Sequence, residues 1–432
     1  MLIAKKSIRE LDLEEGTMKL LGYIIFNCFY YLFYFLKVQN KMFLIMTHDE
    51  SEEANVLYTA NYFKRKNPSL NIKTLKKEDY QFKMNIRGLF KIINFFIIVP
   101  YHIASSKIIL MDNIFLTFAY TKFKKNVSVV QLWHGTGTIK KFALDSEKGK
   151  LKKLAQKSNF RNTHLVVGSD EMVSIYKSAF AVEDKNIFPI GSPRTDLFSD
   201  KELINSKKND FYEKYPELLN KKIVLYAPTF RDEAINLYNN NGKYSEKNEK
   251  EKNSFLNLEI VNILKKLDEN YILALRLHPA ISKNFSIKDI NIDKSLQKRI
   301  YDFSNNNINK IDENNDYVND NITLNSLLLV SEVLISDYSS IIFEYSLLNK
   351  KMIFYPYDIK EYEEKSRGFY FDYESFVPGS IFYSVEGISE EIMKKIDEND
   401  KIIIKKFKEK YMDKADGKSR ERLYRILQHQ TK

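Results

Sequence analysis

The chain has 432 residues, 44% of them hydrophobic and 29% charged, which is enough apolar mass for two cores and excludes global disorder. Its one cysteine, Cys28, excludes an intramolecular disulfide and a cysteine metal cluster and suits a reducing compartment. The net charge of +11 favours anionic partners, whether nucleic acid, lipid headgroup or phosphorylated substrate, without choosing among them.

No cleavable signal peptide is evident, because Met1 to Gly16 is charged and the apolar run after it lacks a small-residue cleavage pattern. That run, Leu20 to Leu36, is broken by Asn27 and flanked by Lys19 and Lys37. It is rich in Tyr and Phe and sits at the short limit for crossing a bilayer. A helix lying in the membrane interface is expected, with a helix buried in the fold and a spanning helix as alternatives. Phe43 to Met46 then reads as a strand, followed by the polar turn Thr47-His48-Asp49-Glu50, a helix over Glu52 to Lys64 and a strand near Leu70 to Thr74. Phe90 to His102 reads as an apolar helix, and Lys107 to Met111 and Val127 to Leu132 as buried strands. Strands alternating with helices at this spacing predict an α/β fold with parallel sheets, whose ligands sit at the carboxyl ends of strands.

Several strand ends carry small, polar or basic residues. Val127–Leu132 runs into Trp133-His134-Gly135-Thr136, followed by the lysine-rich Lys140 to Lys157. Val166-Val167 ends in Gly168-Ser169-Asp170, and Ile187–Ile190 ends in Gly191-Ser192-Pro193-Arg194-Thr195-Asp196. The polar stretch Asp200 to Lys221 reads as the passage between two halves. The second half opens with Lys222 to Tyr226 and Ala227-Pro228-Thr229-Phe230-Arg231. Asn239 to Asn253 reads as a surface insertion. Tyr271 to Leu277 is a strand ending in His278-Pro279, and Asn305 to Asp320 is asparagine-rich and irregular. Val330 to Ile335 reads as a buried strand that turns through Ser336-Asp337-Tyr338-Ser339-Ser340 into a helix from Ile341, a geometry that aims backbone N–H groups at an anion. Met352 to Tyr355 is a last strand, and Glu390 to Gln430 is helical and basic.

Of six histidines, His134 and His278 follow predicted strands in different halves, where an imidazole can take a proton from a hydroxyl or bond a phosphate. His48 and His164 have similar positions but thinner surroundings. Arg194, Arg231 and Arg276 stand at strand ends, and an arginine fork matches phosphate oxygens. Arg276 and His278 alternate on one side of an extended segment. With the Ser339/Ser340 helix start, these groups favour a phosphate-rich ligand. No metal-ligand spacing, Walker loop or Gly-x-Gly-x-x-Gly run occurs.

Trp133-His-Gly-Thr136, Gly191-Ser-Pro-Arg-Thr-Asp196, Ala227-Pro-Thr-Phe-Arg231, Leu275-Arg-Leu-His-Pro279, Ser336-Asp-Tyr-Ser-Ser-Ile-Ile-Phe-Glu344, Arg367-Gly-Phe-Tyr370 and Pro378-Gly379 occur in order. Together they resemble the CDP-glycerol glycerophosphotransferases of teichoic acid and capsule synthesis, over roughly Lys107 to Ser380. The resemblance implies a glycosyltransferase-B-like fold: two Rossmann-like domains facing a cleft, with an N-terminal apolar helix. The implied division is a membrane-associating region over 1–40, an acceptor domain over 41–205, a CDP-donor domain over 206–390 and C-terminal helices over 391–432. The implied reaction passes glycerol phosphate from CDP-glycerol to a hydroxyl of a lipid-linked or polymeric acceptor and releases CMP. A CDP-ribitol transferase and a nucleotide-sugar glycosyltransferase of the same fold are the alternatives.

The resemblance makes His134 the general base and sets His278, with Arg276, against the donor phosphates. It implies that Ser339 and Ser340 donate to the pyrophosphate and that Glu344 holds a donor hydroxyl. It further implies that Trp133, Gly135, Thr136, Arg194, Pro228, Thr229 and Arg231 line the donor site. Gly137 stands where the family usually has proline, which predicts a looser loop behind the base, and Ser380 also departs from the family pattern. No cofactor is firmly implied, although a loosely held Mg2+ would leave no signature. The expected partners are the donor, the acceptor and a membrane surface, at the cytoplasmic face of the cell membrane as a peripheral protein. Nucleic acid is not expected, since Lys140–Lys157 has few interleaved aromatics.

Overall fold

Every residue from Lys41 to Met46 is buried, so this strand has no solvent face, as in parallel sheets covered on both sides. The computed structural model describes residues 8–82, 85–229, 258–277, 293–304, 310–311, 317–318, 322–365 and 368–429. The chain forms two compact units, one of residues 1–136, 142–196 and 414–432, the other of residues 137–141 and 197–413.

The first unit is built on β1 (Gln39–Met46), β2 (Asn71–Lys76), β3 (Ser106–Met111), β4 (Ser128–Gln131), β5 (His164–Val167) and β6 (Ile187–Pro189). Their order is β2-β1-β3-β4-β5-β6, with all pairs parallel. The chain steps outward from β1 to β2 and then returns to the far side of β1 as β3, so the winding reverses between β1 and β3. One sheet face packs Phe43, Ile45 and Ile109 against Phe26 and Tyr30 of the helix Ile8–Leu32 and Val99 and Ile103 of the helix Val99–Ser105. The other packs Met42, Leu44 and Leu110 against Val56 and Phe63 of the helix Asn55–Lys66 and Leu423 and Leu427 of the helix Ser419–His429.

The second unit repeats this plan with β7 (Lys222–Ala227), β8 (Tyr271–Leu275), β9 (Ile300–Asp302), β12 (Val333–Ser336), β13 (Lys351–Phe354) and β14 (Ser380–Ile381), all parallel in the order β14-β13-β12-β7-β8-β9. The short antiparallel pair β10 (Lys310–Ile311) and β11 (Tyr317–Val318) stands apart. Here the winding reverses between β7 and β12. Open parallel sheets bind ligands at such reversals, beyond the carboxyl ends of the strands.

Three segments differ from the sequence expectation. Lys201–Lys214, read as a polar passage, is a helix whose N-terminus is capped by Asp200, with Leu203 N donating to Oδ1 at 3.0 Å. The run read as one strand from Val330 divides: Leu324–Val330 is a helix capped by Thr323, and the strand begins at Val333. A short apolar run fits either structure until its cap is weighed. The stretch read as helical from Glu390 to Gln430 holds the end of the helix Ile388–Met393 and the separate helices Glu398–Tyr411 and Ser419–His429. Of these, Ser419–His429 belongs to the first unit. The expected insertion over Asn239–Asn253 lies outside the described residues, as does most of Asn305–Asp320.

Candidate functional site

In the first unit the site grows from the carboxyl ends of β1, β3 and β4, three neighbours in the sheet. Beyond β4, Trp133 adopts φ 56°, a left-handed conformation that costs a bulky residue of order 1–3 kcal/mol. It is held there by Gln131, whose Oε1 accepts from Trp133 N at 2.9 Å, and by the rings of Phe142 and Phe180 at 5.3 and 5.2 Å. This twist turns the half-buried His134 toward β3. His134 Nδ1 lies 2.9 Å from the carbonyl oxygen of Asp112. A carbonyl can only accept, so Nδ1 carries the proton and the lone pair of the neutral ring resides on Nε2. That is the tautomer of a general base.

Asp112 is itself 1% exposed. Its carboxylate accepts from Thr47 N at 2.9 Å and from His48 N and Asp49 N at 3.1 Å each. Burial raises its pKa, and the three N–H bonds oppose that. The turn after β1 is thereby fixed, and the His48 ring lies parallel to the His134 ring, 1° between planes and 3.6 Å between centroids. The backbone of Gly135 accepts from the Tyr176 hydroxyl at 2.8 Å, and Thr136 is buried. Asn55 joins two motifs: its Nδ2 donates to Trp133 O at 3.0 Å, and its Oδ1 accepts from Ser192 Oγ and Arg194 N at 2.9 Å each. Arg194 in turn donates to the His134 carbonyl at 3.3 Å. Trp133, His134, Gly135, Thr136 and Arg194 are therefore one cluster.

In the second unit Pro228 and Thr229 follow β7, and Asp337 follows its neighbour β12. Thr229 N donates to Asp337 Oδ1 at 2.8 Å, and Tyr338 N donates to the same oxygen at 2.6 Å. Tyr373 braces this turn by donating to the Asp337 carbonyl at 3.0 Å, and Tyr338 bonds Asp358 at 2.9 Å. Ser339 and Ser340 are half-buried at the start of the helix Ile341–Ser346, where Ser339 Oγ accepts from Ile341 N at 3.4 Å and Glu344 is buried. Lys140 Nζ approaches Thr229 Oγ1 at 3.5 Å. Arg276 follows β8, and its guanidinium donates to the carbonyls of Phe303 and, at 3.4 Å, Ile322. One fork nitrogen of Arg276 thus tethers the β9 end. Pro228, Thr229, Ser339, Ser340 and Glu344 gather at the β7/β12 reversal, with Arg276 one strand away. Arg231 and His278 lie outside the described residues.

Gly137 is buried, and a Cβ there would overlap the Phe343 ring. The segment expected to be loosened by this glycine is close-packed instead. The sequence reading gave no role to Asp112, Asp337 or Asn55, and set His48 behind His134 for its thinner surroundings. The first two are the first acidic residues beyond their strands, and that position was the available signal.

Comparison with known proteins bears out the family resemblance. The family model for CDP-glycerol:poly(glycerophosphate) glycerophosphotransferase matches residues 28–429. A teichoic acid poly(ribitol-phosphate) polymerase of Bacillus spizizenii (strain W23) is 33% identical over 81% of this chain, which spans 51% of that protein. A teichoic acid glycerol-phosphate primase of Bacillus subtilis (strain 168) is 32% identical, covering 76% of this chain and 75% of the primase. The structure of the wall teichoic acid polymerase TagF superposes with a TM-score of 0.67 at 20% identity, covering 99% of this chain and 98% of that chain, which establishes the shared α/β fold. The chain belongs to the CDP-glycerol:poly(glycerophosphate) glycerophosphotransferase family.

Proposed function

We propose that this protein transfers glycerol phosphate from CDP-glycerol to a hydroxyl of a lipid-linked or polymeric teichoic acid acceptor and releases CMP. The proposal takes the two sheets as Rossmann-like units facing a cleft. The observation that carries it is the His134 ring, held on the Asp112 carbonyl with its lone pair at Nε2. In the proposed reaction His134 Nε2 takes the acceptor hydroxyl proton, and the acceptor oxygen attacks the phosphorus that bears glycerol. The bond to the bridging oxygen breaks, and its electron pair leaves with CMP. Proton removal by a positioned base contributes a factor of about 100 to 10,000. Donors aimed at the phosphoryl oxygens contribute on the order of 3 kcal/mol each. Thr229, Ser339, Ser340, Arg194, His278 and Arg231 are proposed for that task, and Glu344 for a donor hydroxyl. Relatives include both glycerol-phosphate and ribitol-phosphate enzymes, so CDP-ribitol is the second donor to test.

The membrane surface is proposed as the place of work. In the helix Ile8–Leu32, Phe26 and Tyr30 enter the core while Leu20, Leu21, Ile24 and Ile25 are exposed. Ile86–Ser105 is long and apolar enough to cross a membrane by length and composition. Its Phe95 and Val99 pack inward, whereas Ile86, Leu89 and Phe90 are 77, 57 and 67% exposed. Two adjoining helices, in contact with each other, that bury one face and bare the other suit a peripheral seat in the cytoplasmic leaflet, with basic residues on anionic headgroups.

The deciding assay is CMP release from CDP-glycerol and CDP-ribitol, and UDP release from UDP-glucose, with a lipid-like acceptor. CMP from CDP-glycerol, lost in His134→Ala, is expected. UDP release instead would overturn the reading.

A further inference from the structure

His48 follows the first strand and His134 the fourth, yet their rings are stacked, parallel to within 1° and separated by van der Waals distance, 3.6 Å between centroids. The contact is not incidental to the fold, because one residue sets both sides of it. The Asp112 carboxylate holds the backbone of the His48 turn through three N–H groups, and its carbonyl holds Nδ1 of His134. Asp112 stands where the winding of the sheet reverses, between β1 and β3, the position at which such sheets bind ligands. We propose that His48 is a positioning residue for the reaction: stacked on His134, its imidazole fixes the ring plane that keeps Nδ1 on the Asp112 carbonyl and leaves Nε2 to take the acceptor proton. The inference rests on reading His134 as the base.

The charges around His48 suit that task. The protein surrounding its ring lowers its pKa, and Arg194 and Lys77 lower it further, while Asp112 and Asp49 raise it, with a net shift downward. His48 is therefore neutral at neutral pH. A neutral ring lets His134 accept a proton, whereas a charged one 3.6 Å away would oppose it. Once the proton has arrived, the imidazolium on His134 meets the π face of His48, an attractive arrangement.

The test uses the full chain with ring-15N histidine, alongside CMP release. In the parent protein His134 is expected as a single Nδ1–H tautomer. In His48→Ala that signal should become an average of two tautomers, and kcat should fall by about 10- to 100-fold with the donor KM nearly unchanged. His48→Phe, which restores a flat ring that cannot titrate, should recover the tautomer and most of kcat. An unchanged His134 spectrum and unchanged kcat in His48→Ala would overturn the proposal. So would a His48→Phe protein that keeps the tautomer but is as inactive as His48→Ala, since His48 would then be reacting itself. Full activity of His134→Ala would remove the base reading, and this inference with it, a result distinct from failure at His48 alone.

Discussion

Asn55 contributes no proton and no charge, yet it ties the Trp133 carbonyl to Ser192 and to Arg194 N from a site 2% exposed. Asn55→Ala leaves these buried partners unpaired. It should cost about 1–3 kcal/mol in urea unfolding and lower turnover more than donor binding, because the His134 loop loses its anchor. Gly137→Ala should cost a similar amount, about 1–3 kcal/mol, by overpacking against Phe343. Phe343→Leu in the same chain should return part of that loss, and a double-mutant cycle measures it. His102 acts on stability rather than chemistry. Burial first, then Lys41 and Lys73, bring its pKa down to about 4, against 6.5 in the unfolded chain. The unfolded chain therefore binds more protons between those values, and stability is lost as pH falls from about 6.5 toward 4. Urea midpoints measured across that window should fall less in His102→Gln than in the parent protein.

Elements were legible in the sequence where periodicity and boundary chemistry agreed, and less so where one was silent. The runs that became β1, β3, β4, β7 and β8 were plain because apolar residues end abruptly at polar ones. β9 and β14, three and two residues long, carry no periodicity to read. Lys201–Lys214 escaped because its buried face is a single residue, Phe211, and only the Asp200 cap announces it. The site divided in the same way. Arg194, Thr229 and the serines at 339 and 340 stood in motifs, whereas Asp112 acts through a carbonyl oxygen and Asn55 through contacts 77 to 139 residues away. The last helix shows the same dependence on distant partners. Asp196 accepts from Ser419 N at 2.9 Å and from Arg420 N and Nε at 3.0 and 2.9 Å, and the Arg420 guanidinium lies 3.9 Å over the Tyr58 ring. Asp196→Ala strips a buried ion pair and a helix cap together. It should cost on the order of 3 kcal/mol and expose Ser419–His429 to limited proteolysis.

At the scale of the whole molecule, the apolar helices on the first unit bury one face and bare the other. Phe26 and Tyr30 complete the core, and Asn27 bonds Thr117 O at 2.9 Å, so removing the helix would damage the fold itself. Substitution on the bare face separates the two roles. Leu89→Asp with Phe90→Asp should abolish flotation with anionic liposomes while turnover of a soluble acceptor analogue stays near that of the parent. Flotation undiminished in this variant would overturn the proposed membrane seat on this face.

The first unit is also discontinuous along the chain, since it takes residues 414–432 only after the second unit has been made. Leu423 and Leu427, fully buried beside Val56 and Phe63, leave the ribosome only after the whole of the second unit. During synthesis the second unit can therefore finish folding while the first still lacks part of its core, with more than two hundred residues of chain between the edges of the gap. The contacts that close it are far apart in sequence, and such contacts are slow to form. Until they form, the nascent chain bares an unfinished core, and a ribosome stalled short of Leu423 should leave the first unit sensitive to protease while the second is already resistant.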